Sequence, residues 1–480
     1  MTTAGSAGRE SGAAWDVKGL FDRQTAHRWD MARTTANERI ARLERLRSAV
    51  RAHTADICEA ARADFGKAPA EMEITEVLPT LEELNHAIRM LPRWMRPRKV
   101  TTPLTLAGAT SEIRYEPKGV VLVLSPWNYP FALAMNPLVA AIAAGNCVML
   151  RPSDKTRHSA QALRTVVSEA LPEEEAVVLT GGRELADALL ELPFDHIFFT
   201  GSPSVGRKVM ASAARNLTPV TLELGGKSPA VVDETANLRT SAERIVWGKF
   251  VNAGQTCIAP DYVLVHESVA EGLVAAIRTA IEGAYGKEES DRLASVDLCG
   301  VVDETSMKRL ASVLDAALGA GAKLAIGGSV DLEKRRISPT VLTEVTLESP
   351  IMRDEIFGPI LPVLTFRSVD EATAVIRSRP KPLALYVFAE APDRIERVLR
   401  ATSAGGTSVN NVLMHYVNPN LPFGGVGESG MGSYHGRHGF EALSHARAVL
   451  RQRMPSATGF LYPPYEGRKR MIALFRRIVG

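Results

Sequence analysis

The sequence predicts an α/β fold built on doubly wound parallel sheets, and three observations point there. Short apolar runs such as "VVLVL" (120–124), "CVML" (147–150), "AVVLT" (176–180) and "HIFFT" (196–200) alternate with helix-like segments. A second alternating region begins near "VTLELGG" and continues through "YVLVH", a long amphipathic segment, "ISPTVL", "PVLTF" and "LALYVF". The length, 480 residues of which 45% are hydrophobic and 23% charged, allows two or three cores of ordinary size.

In chain order, "MTTAGSAGRESGAA" (1–14) is small and polar, lacks the apolar centre of a signal peptide, and predicts a disordered tail. From Thr34 to Asp64 apolar positions recur at helical spacing among many Arg and Glu, which predicts solvent-facing helices. Residues 70–95 predict another helix, stopped by Pro92 and Pro97. "VTTPLTLAGATSEIRYEP" mixes β-branched residues with turn formers and predicts an exposed hairpin or arm. A helix is expected from Arg157 to Ala170, and the two alternating regions join near residues 221–226. At the end, "RKRMIALFRRIVG" sets Met471, Ile472, Leu474, Phe475, Ile478 and Val479 on one helical face, with Arg470, Arg476 and Arg477 opposite. A helix docked on its own protein or a partner subunit is expected, with weak contact to anionic lipid as the sharper alternative. No apolar run approaches the roughly 20 residues that span a bilayer.

A formal net charge of +3, from 57 basic and 54 acidic residues, gives no nucleic-acid footprint. Four cysteines lie far apart with no Cys-x-x-Cys, so neither a disulfide framework nor a cysteine zinc site is expected, and a reducing cytoplasm is. His435 and His438 have a metal-like spacing but sit in a glycine-rich loop without a nearby carboxylate or thiol pair, so no metal is expected. Gly425-x-Gly427-x-x-Gly430 follows "LPF" rather than a strand, with too little chain beyond it for a dinucleotide fold. "LELGGKS" fails as a phosphate loop because its first required glycine falls at Thr221.

Four stretches carry chemistry. In "HIFFTGSPSVGRKVMASAA" a strand feeds Gly201, Ser202 and Gly206 before a helix, which either presents N–H groups to a pyrophosphate or simply makes a tight turn. In "SPWNYPFALAMNP", Trp127 and Tyr129 read as packing aromatics, and Asn128 as a turn residue or an amide donor to a developing oxyanion. Glu223 lies in an apolar strand before a glycine pair, so it must be paired or titrate near neutrality. In "NAGQTCIAPD", Cys257 has Gly254, Gln255 and Thr256 as neighbours; these leave the sulfur accessible, and flanking amides favour the thiolate. A structural buried cysteine is the bland alternative. Nucleophile, base, amide donor and dinucleotide turn therefore occur in one chain.

Taken together, "PWNYPF", "AAIAAGN", "FDHIFFTGSPSVG", "TPVTLELGGKSP", "WGKFVNAGQTCIAPDYVL", "EIFGPILPV", "KPLALYVF" and "LPFGGVGESGMGSYHG" resemble the aldehyde dehydrogenases, in family order from about residue 20 to 465. "GQTCIAPDY" and "YHG" point to the class 3 branch of fatty and aromatic aldehyde dehydrogenases. The resemblance implies a Rossmann-type cofactor domain, an α/β catalytic domain and a small oligomerisation arm. Its boundaries would be 15–99 and 119–222 for the NAD(P)-binding domain, 223–411 for catalysis, 100–118 and 412–450 for the arm, and 451–480 for a C-terminal tail or helix.

The resemblance also implies roles. Cys257 attacks the aldehyde, Asn128 and the Cys257 N–H hold the oxyanion, hydride passes to the nicotinamide, and Glu223 activates water against the thioester. Glu355 would hold the nicotinamide ribose with Phe357 beside the ring and Trp127 near the cofactor. Gly201, Ser202 and Gly206 would border the pyrophosphate, with Leu224 and Gly225 also at the cofactor. Where the family has Lys-Pro-Ser-Glu at the adenine ribose, this chain has Arg151, Pro152, Ser153 and Asp154. A carboxylate there favours NAD, whereas Arg accommodates a phosphate, so NAD use with tolerance of NADP is expected. A hydrophobic aldehyde substrate and a homodimer are expected too. Acyl transfer to coenzyme A is the rival activity, against which Glu223 argues. A catalytically idle member would lack Cys257, Asn128 or Glu223, and all three are present.

Overall fold

The structure is a computed structural model that describes residues 15–452, 458 and 461–479. The tail expected over 1–14 lies outside the described residues.

Three helices, Val17–Ala32, Ala36–Ala52 and Thr54–Phe65, open the chain. The second begins with a reciprocal cap encoded by Thr35 and Glu38: each side chain accepts from the other's backbone N–H. Over 69–94 the expected single helix is divided into Pro69–Met72, a π-helical turn Glu73–Val77 and Leu78–Trp94. Pro92 lies inside the last piece rather than stopping it. Standing in the final turn, it removes only one bond near an end that frays in any case.

The first sheet has the order Gly430–Met431, Val220–Leu224, His196–Gly201, Val120–Leu124, Cys147–Arg151, Ala176–Val178. All neighbours are parallel except the first pair. From Val120–Leu124 the chain winds outward twice, then returns to the other side for His196–Gly201. The strand order reverses between those two strands, and ligands bind outside the carboxyl ends at such a reversal. "VVLVL" is apolar throughout because both faces of this strand are covered: all five residues are buried. Beneath it runs the helix Ala132–Ala144, buried along its whole length.

The second sheet has the order Lys323–Ile326, Thr340–Thr343, Ile360–Phe366, Tyr262–His266, Pro229–Val232, Ala384–Phe388, Gly406–Val409, parallel after its first, antiparallel pair. The chain crosses from one sheet to the other over 225–228. Outside both, Arg98–Val100, Ala109–Pro117 and Ser444–Gln452 form a three-stranded antiparallel arm, in which all nine residues of the last strand pair with the middle one.

The C-terminal helix spans Lys469–Val479 and lies beside the turn Leu104–Leu106 of the arm. Met471 and Ile472 stay 43% and 41% exposed. The side chains of Leu474, Phe475, Ile478 and Val479 on the expected apolar face lie outside the described residues. Among the described residues, no helix is long and apolar enough to cross a membrane.

Candidate active site

Cys257 ends a turn that tolerates almost no alternative. Asn252, Ala253 and Gly254 all have positive φ (55°, 51° and 72°), and a Cβ on Gly254 would stand 2.3 Å from the Gly358 carbonyl oxygen. Two non-glycine residues in the left-handed region are held there by hydrogen bonds. Asn252 N–H donates to Glu71 Oε1 (2.9 Å), and its Nδ2 to the carbonyls of Asn128 (2.8 Å) and Gln255 (3.1 Å). Fully buried Gln255 donates to the Asn252 and Gly300 carbonyls and accepts from Val302 N–H. The polar neighbours of Cys257 thus clamp its turn.

The thiol itself is partly exposed. Burial of the sulfur pushes its pKa up, and the charges of Glu355 and Glu223 push the same way; the N–H groups of Cys257 and Ile258 oppose them by hydrogen bonding the thiolate. The resting form is the thiol, with two amide donors already directed at negative charge. Asn128, 3% exposed, follows the carboxyl end of Val120–Leu124 and donates from Nδ2 to the Gln255 carbonyl at 3.0 Å. An amide nitrogen carries two N–H bonds, which leaves one for another acceptor.

Glu223 is 3% exposed, and neither of its carboxylate oxygens has a hydrogen-bond partner. Burial without a partner raises its pKa well above the carboxylate range. It sits opposite Thr200 on one side and Gly430 on the other. Nucleophile turn, amide and carboxylate therefore come from three elements that meet between the two sheets.

The residues expected at a dinucleotide gather at the strand-order reversal. The helix Pro203–Ala214 starts directly after Gly201 and Ser202 and has no side-chain cap; Pro203 carries no N–H and those of Val205 and Gly206 bond the Ser202 carbonyl, which leaves the Ser204 N–H open. A Cβ on Gly206 would stand 2.7 Å from Leu224 Cδ2, so this glycine permits helix and strand to pack closely. Buried hydroxyls at the two carboxyl ends, Ser125 Oγ and Thr200 Oγ1, have no partner. Glu355 lies over Gly225, where a Cβ would be 2.0 Å from its Oε2. Burial raises the Glu355 carboxyl to about 8, with Asp261 adding to the effect. Trp127 and Phe357 meet edge to face at 5.3 Å. Arg151 donates to the Gly181 carbonyl (2.7 Å) and pairs with Asp154 (3.4 Å), while Ser153 accepts from Lys155 N–H (3.3 Å). The open Ser204 N–H and the orphaned hydroxyls of Ser125 and Thr200 fit a nicotinamide dinucleotide.

Several site residues escaped the sequence reading. Lys227 pairs with Asp261 and donates to the carbonyls of Ile351 and Asp354; Asp261 in turn accepts from Ile356 N–H, which fixes the segment carrying Glu355. The signal was present in "LELGGKS", whose lysine serves a protein carboxylate instead of a phosphate. Lys155 pairs with Asp303 (2.7 Å) and lies over the Trp127 ring. Lys67 and Glu76, both fully buried, pair at 2.9 Å. Glu76 also accepts from Phe131 and Ala132 N–H at the start of the buried helix, and Lys67 lies 4.3 Å from the centre of the Tyr129 ring. The Tyr129 hydroxyl then bonds Thr256 Oγ1 at 2.7 Å, next to the nucleophile. No short motif encodes this chain of contacts.

Cys257 also forms part of the wall of a cavity of about 630 Å³ lined by Tyr129, Leu133, Trp247, Leu413, Tyr416 and Phe423. The glycine-rich segment before Gly430 sets that strand against the Glu223 strand, and His435 turns its Nδ1 toward Glu83 (3.6 Å).

A parallel-sheet reversal, with a thiol, amide donors and an unpartnered buried carboxylate gathered beside it, defines the class: a dinucleotide-dependent enzyme. The sequence pattern of the "Aldehyde dehydrogenase family" matches residues 10–449, and the chain belongs to that family, whose members oxidise aldehydes. It is 44% identical over 433 residues to the 4,4'-diaponeurosporen-aldehyde dehydrogenase of Staphylococcus aureus, covering 90% of this chain and 93% of that one. It is 42% identical to aldehyde dehydrogenase family 3 member A2 of Macaca fascicularis, covering 89% and 87%. Among solved structures, the substrate-bound state of Staphylococcus aureus AldH superposes with a TM-score of 0.92 at 42% identity, covering 96% of this chain and all of the other.

Proposed function

We propose that this enzyme oxidises a hydrophobic aldehyde, medium- or long-chain aliphatic or aromatic, to its carboxylic acid. The observation that carries the reading is the apolar cavity with Cys257 in its wall. Cys257 releases its proton to water as sulfur bonds the carbonyl carbon. The resulting thiohemiacetal oxyanion is held by the free N–H of Asn128 and the Cys257 backbone N–H, worth about 3–4 kcal/mol at the barrier by comparison with other oxyanion sites. Bound at the reversal, NAD supplies the hydride acceptor. Loss of hydride from the thiohemiacetal carbon leaves a thioester; ionised Glu223 takes a proton from water as it attacks that thioester, then returns it to the departing Cys257 sulfur as the acid is released.

For the cofactor, Gly201, Ser202 and Gly206 border the pyrophosphate, Leu224 and Gly225 the nicotinamide side, Glu355 the nicotinamide ribose, and Trp127 with Phe357 the ring. At the adenine ribose, Asp154 favours a 2′-hydroxyl, and the arm of Arg151 is already tied to Gly181 and Asp154. NAD is therefore preferred and NADP accepted more weakly; kcat/KM for each decides this, and a strong preference for NADP overturns it. The chain assembles as a homodimer through its arm in the cytoplasm, with 15–99 and 119–222 binding cofactor and 223–411 carrying catalysis. The basic C-terminal helix docks on its own protein or a partner subunit, with weak contact to anionic lipid as the alternative; liposome binding that is lost on deleting 467–480 would favour the alternative.

Absorbance at 340 nm with NAD and aldehydes from acetaldehyde through dodecanal to benzaldehyde, without coenzyme A, tests the whole reading. NADH formation favouring the apolar aldehydes is expected. Formation only after coenzyme A is added, or none across the panel, overturns it.

A further inference from the structure

The helices Leu238–Phe250 and Ala270–Tyr285 pack together and enclose a second groove, also of about 630 Å³, on their outer side. Its wall is Val246, Ala276, Ala280, Gly283, Ala284 and Tyr285, with an Arg239–Glu243 ion pair at the rim. Trp247, 41% exposed, belongs to this groove and to the cavity that contains Cys257. A single indole therefore stands between the two spaces. At Gly283 a Cβ would meet no heavy atom within 4 Å, so the groove is open there.

The geometry points to a distal subsite: the far end of a long aldehyde, its carbonyl at Cys257, passes Trp247 and lies in the groove between these helices. The inference rests on the reading that the substrate is a hydrophobic aldehyde, and it extends that reading to the length of the chain. An alkyl tail longer than the first cavity otherwise ends in water, and each methylene transferred to an apolar wall is worth about fourfold in affinity. The rim charges neutralise each other, so the groove offers no net charge to a charged partner. Trp247, shared by the walls of both spaces, favours the substrate as occupant.

Gly283→Leu and Thr279→Phe fill the groove, and the first raises helix propensity, so the fold is retained. Gly319→Leu, at the end of the helix Glu304–Gly319, is the control, because a Cβ there also meets nothing. With NAD, kcat/KM for hexadecanal should fall about tenfold or more in both groove variants, mainly through KM. Hexanal should stay within about twofold, and the control should match the unaltered chain for both. Equal losses for both aldehydes, or an undiminished hexadecanal rate, overturns the subsite while leaving the aldehyde reading intact. A changed sedimentation coefficient in the groove variants would instead mark an interface between copies and overturn it. If the unaltered chain oxidises neither aldehyde, the reading beneath the inference fails with it.

Discussion

Glu223 is buried without a partner, and its charge is therefore costly in the resting fold. Its folded pKa lies above the unfolded value, so between the two the native state binds more protons and stability falls as pH rises. Glu223→Gln should melt at a higher temperature than the parent chain at pH 8, with the gap closing toward pH 4.5, measured by thermal scans across pH. The same substitution should preserve the first burst of NADH yet slow steady turnover by about 10²–10⁴-fold; unchanged turnover would remove Glu223 as the base. In the parent chain, deacylation should speed up as pH rises and Glu223 ionises. Asn128→Ala should lower kcat about 10²–10³-fold. At this scale the sequence was informative about chemistry and silent about support. A carboxylate inside "VTLELGG" is anomalous on its face, and a thiol among small residues is too. Gln255, whose partners Gly300 and Val302 lie about 45 residues on, has no local signature.

At the scale of elements, the turn before Cys257 is held by Glu71 and Gln255, and the Gly358 carbonyl closes the space beside Gly254. Gly254→Ala adds a methyl where φ is +72° and a carbonyl oxygen already stands, so it should cost more than about 1 kcal/mol. Urea unfolding and the alkylation rate of Cys257 check this together: a stable variant with an unchanged rate would mean the turn is not strained into position. The start of the buried helix Ala132–Ala144 depends on Glu76, and Glu76 on Lys67. Lys67→Met should destabilise by about 3–5 kcal/mol, and adding Glu76→Met should recover much of it. The divided helix over 69–94 was illegible for a related reason. Helical periodicity marks an apolar face, whereas Glu76 is inside as an ion-pair partner supplied from elsewhere in space.

For the whole molecule, the strand-and-helix alternation disclosed both parallel sheets, because short apolar runs buried on two faces have few other uses. That 100–118 and 412–450 share an arm came from the family resemblance alone, and nothing in the sequence showed Gly430–Met431 beside Val220–Leu224. Cofactor binding at the reversal should stabilise the fold by about 2.7 kcal/mol when NAD is present at 100 times its Kd; absence of any thermal shift at that ratio counts against the site. The pairing of Gly430 with Glu223 has a consequence for synthesis. Asn128, Glu223 and Cys257 all leave the ribosome about 170 residues or more before Gly430–Met431, the strand that covers the sheet edge carrying Glu223. A nascent chain released early holds every reacting group of the enzyme and a bare strand edge, ready to pair with a neighbour. Translation therefore sets out the chemistry first, and the strand that shelters Glu223 is made long after it.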